Sequence, residues 1–219
     1  MNGRGVVVEF DFAVMDGAGL LFKTAKKFLN DLDKIALDDA LEARYLAGRT
    51  YLDGLTRLFA SVRTKKTAQK AARDLASAFN TAVTEAVPEA ITAQFRNFIK
   101  TLTDADLAVA IATRADIEAV RPAFEPLLGD RVILYHEESE AYGFATWEGW
   151  RRACMAMEMK HATVRAVSGS GFGVKSALVA GMRSVAVIND RVAWQDFGGA
   201  GEVLEELSGK TAKLFLARV

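Results

Sequence analysis

The chain has 219 residues, enough for one full domain with room for a smaller inserted one. It is 51% hydrophobic and 26% charged, with 28 basic against 28 acidic residues, so no global field favours nucleic acid or an anionic membrane, and neither is an expected partner. No apolar run approaches the roughly 18 residues of a membrane helix, the opening MNGRGVVVEFDF lacks the apolar core and cleavage site of a signal peptide, and the single cysteine, Cys154, cannot form an internal disulfide; a cytoplasmic location is expected.

The valine-rich run GVVVEF at 5–10 reads as a buried strand. A long helical region follows. Phe22, Ala25, Leu29 and Leu32 recur at spacings of three and four, as do Leu52, Leu55, Phe59 and Val62, and then Ala68, Ala72, Leu75, Phe79 and Ala82. Each set is one apolar stripe of an amphipathic helix, and nothing between 18 and 86 reads as a strand. The pattern then alternates. A helix from about Pro88 to Lys100 leads to the strand DLAVAIAT, helix 115–128 to RVILYH, and helix 146–158 to ATVRAV. Helix 174–181 leads to RSVAVIN, and a last helix near 201–208 precedes AKLFLA. Strands alternating with helices imply an α/β, Rossmann-like parallel sheet. The helical block after the first strand implies an inserted α-helical cap, giving a core of 1–16 and 87–219 and a cap of 17–86.

Several residues invite attention and have plain explanations. Cys154 lies in WRRACMAMEM, on an expected packed helix face with no adjacent base, and is read as a buried structural thiol. His136 and His161 have no metal-ligand spacing with another His or Cys, so no metal site is expected from them. Trp147 and Trp150 are read as packing. The charge run RTKKTAQKAAR at 63–73 is read as a solvated helix face, with contact to an anionic substrate as the alternative.

The glycine-rich loop AVSGSGFGVKSALVAGM at 166–182 is the strongest motif. A P-loop requires G-x-x-x-x-G-K-[ST], but Gly169–Ser176 reads GSGFGVKS, with Val174 where the second glycine belongs. A dinucleotide fingerprint requires G-x-G-x-x-G in the first βαβ unit. Val174 again breaks it, and the loop follows the fourth strand.

The whole frame resembles the haloacid dehalogenase (HAD)-like hydrolase superfamily, in the branch of phosphoglycolate phosphatase and β-phosphoglucomutase. VVVEFDFAVMDG matches the opening motif, with Glu9 at the position of the nucleophilic aspartate, Asp11 at that of the second aspartate and Asp16 just beyond. LAVAIATR supplies the Thr of the second motif as Thr113. AVSGSGFGVKSALVAGMRSVAV matches the frame of the fourth motif, with Ser168 and Gly169 where an acidic pair belongs. The third motif's lysine is absent from SEAYGFATWEGW.

The resemblance implies a phosphoryl-transfer site in which the first aspartate attacks, the second handles protons, the threonine binds phosphoryl oxygens and the late acids hold magnesium. The departures act on each part. Glu9 moves its oxygens by roughly 1 Å, an error that can cost about a hundredfold. Ser168 and Gly169 remove charge that magnesium needs. Arg114 and Lys175 lie near enough in sequence to replace the lysine, but are read first as solvated helix positions. Asp11 is read equally as a turn cap, and Thr113 first as a helix cap. The expectation is a HAD-like protein with impaired or no catalysis, with Glu9, Asp11 and Thr113 at the catalytic positions. It binds a small anionic ligand at Ser168, Gly169 and Ser170, where a helix N-terminus presents N–H groups. No metal or cofactor is expected. The alternative is an active HAD-type phosphatase for a small phosphate ester, with magnesium as its cofactor.

Overall fold

The computed structural model describes residues 4–138 and 144–217. Strand β1 (Gly5–Glu9) runs without a break into a single helical turn, α1 (Phe10–Ala13). Four helices follow: α2 (Gly17–Asp33), α3 (Asp39–Leu41), α4 (Tyr51–Val62) and α5 (Ala68–Ala90), with a π-helical segment at Glu42–Leu46. The rest is α6 (Ala93–Asp104), β2 (Ala108–Thr113), α7 (Ile117–Phe124), β3 (Val132–His136), α8 (Trp147–Ala156), β4 (Val164–Ser168), α9 (Gly171–Val179), β5 (Arg183–Val187), β6 (Glu202–Leu204) and α10 (Gly209–Ala217). All strand pairs are parallel, in the order β3-β2-β1-β4-β5-β6. The expected α/β, Rossmann-like parallel sheet is therefore present. No described helix is long and apolar enough to cross a membrane.

The central strands β1, β2 and β4 are buried on both faces, and their side chains alternate between two cores as the period of two requires. Val6, Val8, Val109 and Ile111 enter the larger core with α2, α4, α5 and α6. Val7, Ala110, Ala112 and Ala166 face α8 and α9, where Trp150 is the largest buried side chain. The helices between residues 17 and 90 pack their apolar stripes into the same continuous core as the first sheet face; Phe12 of α1 meets Phe79 of α5 at 6.3 Å.

Two elements differ from expectation. The helix expected to start at Pro88 starts at Ala93, because α5 continues through Pro88 to Ala90. A proline in the last turn removes only one ladder hydrogen bond, and the new helix begins where Thr92 caps it through Phe95 N–H at 3.2 Å. The helix expected at 201–208 is instead the edge strand β6, paired as Val185↔Glu202, Ala186↔Val203 and Val187↔Leu204. The apolar spacing Val203, Leu204, Leu207 suits either structure, and the open edge of β5 decides it. The last helix is α10, whose Phe215 packs edge-on against Phe98 of α6 at 5.6 Å.

Candidate functional site

Strand register brings the expected residues to one point on the carboxyl edge of the sheet. Glu9 pairs with Ala112, one residue before Thr113, and Val8 pairs with Val167, one residue before Ser168. Asp11 follows in α1. Glu9, Asp11, Thr113, Ser168 and Ser170 are all buried.

Both oxygens of Glu9 are occupied by protein donors. Ser168 Oγ donates to Oε2 at 2.5 Å, and the backbone N–H of Phe144 donates to Oε1 at 2.7 Å. Burial raises the Glu9 pKa to about 7, and the two hydrogen bonds and the charge of Arg114 offset only part of that rise. Asp11 is held in the same way: Thr113 Oγ donates to Oδ1 at 2.5 Å and Arg114 N–H to Oδ2 at 2.8 Å. Burial raises its pKa too, against the opposing charge of Arg114. Asp11 thus acts as more than a turn cap. Thr113 bonds Asp11 rather than capping the next helix, a role taken by Asp116 through Glu118 N–H at 3.0 Å.

Arg114 corrects the sequence reading. Expected as a solvated position, it is only 2% exposed; its Nη1 lies 3.6 Å from Asp11 Oδ2 and its guanidinium sits over the ring of Phe12. A tripeptide Thr-Arg-Ala at a strand end carries no signal for this, because only the tertiary placement of Asp11 makes burial of the charge tolerable. Lys175 is exposed, as expected, and pairs with Asp196 at 2.7 Å. The site's other unforeseen member is the backbone of Phe144. Its carbonyl accepts from Ser176 Oγ, which in turn accepts from Trp150 Nε1 at 2.8 Å. Of the stretch searched for a lysine, 139–150, residues 139–143 lie outside the described residues.

The glycine loop has a physical explanation. A Cβ on Gly169 would sit 1.8 Å from the Phe12 carbonyl oxygen, and one on Gly173 would sit 2.1 Å from Ser168 Oγ. These glycines let α9 close onto the Glu9–Ser168 pair. The loop's donors are also engaged: Ser170 N–H bonds Ser168 Oγ at 3.2 Å, Gly171 N–H bonds Gln195 Oε1 at 2.8 Å, and Gly173 N–H bonds the capping Ser170 Oγ at 3.0 Å.

The remaining candidates are structural. Cys154 is buried, and burial pushes its thiol up to about 11. Trp150 is buried, while Trp147 is partly exposed beneath Arg151. His136 Nδ1 faces the Ala115 carbonyl at 3.1 Å; a carbonyl only accepts, so Nδ1 carries the hydrogen. Outside the sealed pair, a cleft of about 910 Å³ opens between α5 and the ends of β2 and β3.

No family model and no curated protein sequence matches this chain. Solved structures do. CbbY from Rhodobacter sphaeroides, solved in complex with phosphate, aligns at 15% identity and TM-score 0.65, covering 93% of this chain and 94% of that one. β-Phosphoglucomutase from Clostridium difficile aligns at 12% identity and TM-score 0.69, covering 99% and 100%. A protein described as a haloacid dehalogenase-like hydrolase, from Bacteroides fragilis, aligns at 12% identity and TM-score 0.67, covering 95% and 99%. The chain has the HAD-like fold. Magnesium, which the HAD-like fold implies, does not fit the residues at this edge. Each carboxylate oxygen of Glu9 and Asp11 already faces an N–H or O–H hydrogen, and the two further positions hold a serine and a glycine. Octahedral coordination at about 2.0–2.1 Å needs carboxylate oxygens open to the ion, and Glu9 and Asp11 are both buried against their donors. Among the described residues, no group of three or more His, Cys, Asp or Glu side chains is placed to hold a metal.

Proposed function

We propose that this chain is a HAD-fold protein that does not transfer phosphoryl groups and acts by binding, as a pseudoenzyme. The observation that carries this reading is the sealing of Glu9: it is fully buried, and Ser168 and Phe144 occupy both of its oxygens. An attacking carboxylate needs an oxygen open to the phosphorus within about 3–3.5 Å, and Glu9, fully buried, is turned to Ser168 and Phe144 instead. With the loop donors at Ser170, Gly171 and Gly173 engaged internally, a small ligand with an anionic group finds an exposed cation, Arg73, in the neighbouring cleft. The buried, unpaired Cys154 agrees with a cytoplasmic site of action.

The test is turnover of a panel of phosphate esters, with and without magnesium, by the parent and by Glu9→Gln. The expected result is the uncatalysed rate in every case. Turnover at about 1 per second or faster, dependent on magnesium and lost in Glu9→Gln, would establish an active phosphatase instead.

A further inference from the structure

The cleft between α5 and the β2–β3 end contains neither Glu9 nor Asp11; its lining carries the carboxylates of Glu85, Asp116, Glu118 and Glu138 with His136, against Arg73 and the buried Arg114, whose charge is directed to Asp11. Arg73 and Glu85 line it from the same helix, twelve residues apart. At 1.5 Å per residue their backbones stand about 18 Å apart along α5. Neither forms an ion pair with another described residue. The acidic end is reinforced by α7: Thr84, beside Glu85, accepts the N–H of Asp116, which brings Glu118 to the same end. Between the ends, α5 presents Ser77, Asn80 and Thr81. The hydroxyl of Thr81 donates to the Ser77 carbonyl, which leaves its oxygen to act only as an acceptor.

A plain anion would meet Arg73 but also the carboxylates of Glu85 and Glu118, and a plain cation would meet the reverse. We infer that the cleft binds an elongated zwitterion, with a carboxylate at the Arg73 end, an ammonium at the Glu85 end and a hydrogen-bonding middle. Tripeptides have this chemistry. Three extended residues span about 10 Å, which the reach of the two side chains matches within an 18 Å frame. A volume of about 910 Å³ lies within the usual range of ligand sites, roughly 300–1,000 Å³. The inference rests on the reading of this protein as a binder, but it makes no use of the sealed carboxylates.

The experiment is calorimetric titration of the full chain with trialanine, N-acetyl-trialanine, trialanine amide and glucose 6-phosphate. The free tripeptide is expected to bind at least tenfold more tightly than either blocked form or the phosphate ester. Arg73 and Glu85 are exposed positions on α5, so Arg73→Gln and Glu85→Gln are expected to keep the fold, checked by circular dichroism. Arg73→Gln should erase the preference for trialanine over its amide while keeping the preference over the acetylated form. Glu85→Gln should do the opposite. Absence of binding at millimolar peptide would overturn the inference, as would equal binding of the blocked forms, tighter binding of glucose 6-phosphate, or unchanged preferences in the variants. Phosphate-ester turnover would sink the non-catalytic reading but leave these preferences unaffected, so the two fail separately.

Discussion

Replacing Glu9 by Gln should stabilise the protein above neutral pH. In the fold, burial lifts the Glu9 carboxyl from 4.5 to about 7. A raised acid pKa means that the native state holds the proton more tightly, so stability is fully present below 4.5 and is lost as pH rises through 7. At about 1.4 kcal/mol per tenfold, ionising the buried group costs about 3 kcal/mol once pH exceeds both values. Gln removes that cost and keeps the contacts. Its carbonyl accepts from Phe144 N–H, and its amide donates to Ser168 Oγ, whose own hydrogen turns to the Ser170 carbonyl at 3.3 Å. The second amide hydrogen offsets about 1 kcal/mol, leaving a net gain of roughly 2 kcal/mol at pH 8. That is roughly 4–8 °C in Tm for a domain of this size. Thermal unfolding of both proteins at pH 8 and pH 5 checks it, with the advantage expected at pH 8 and absent at pH 5. A Glu9→Gln variant with parental or lower Tm at pH 8 would refute the argument that Glu9 is a buried, desolvated carboxyl.

Other consequences follow from the same packing. Gly169→Asp, the change that restores an acid to the fourth motif, should destabilise rather than repair, because a Cβ there meets the Phe12 backbone; a loss of roughly 1–3 kcal/mol is expected for such overpacking, and denaturant unfolding measures it. Arg114→Gln should cost up to about 3–5 kcal/mol at pH 7, because it removes the counter-ion of the buried Asp11, which must then stay ionised unpaired or take up a proton. Part of that loss should return at lower pH, where Asp11 is protonated, and a pH series of Tm values reads it. Cys154 should be inert to a thiol reagent at pH 8 in the folded protein and react at once on unfolding, since burial holds its thiol near 11.

Much of this was legible because it depends on local rules. Valine-rich runs alternating with amphipathic stripes report a parallel sheet, while Glu9, Asp11, Thr113 and Ser168 are picked out by the resemblance of the motif frame to HAD-like proteins, and strand register brings them together. What escaped depends on long-range neighbours. Residues 201–208 read as helix because Val203, Leu204 and Leu207 fit its period, while the free edge of β5, set far back in the chain, makes Glu202–Leu204 a strand. Arg114 read as solvated because nothing beside it in sequence shows that Asp11 lies 3.6 Å away. The loop glycines read as a phosphate cradle, yet Gly169 and Gly173 are required by contacts with Phe12 and Ser168. A glycine reports close approach without reporting what approaches.

The central claim is that Glu9 is closed to phosphoryl transfer. Intact-mass spectrometry of the protein after incubation with a reactive phosphate donor such as p-nitrophenyl phosphate and magnesium, quenched in acid, tests it at the atom concerned. The account predicts unmodified protein at every time point. A phosphoryl adduct that maps to Glu9 and is missing in Glu9→Gln would contradict it.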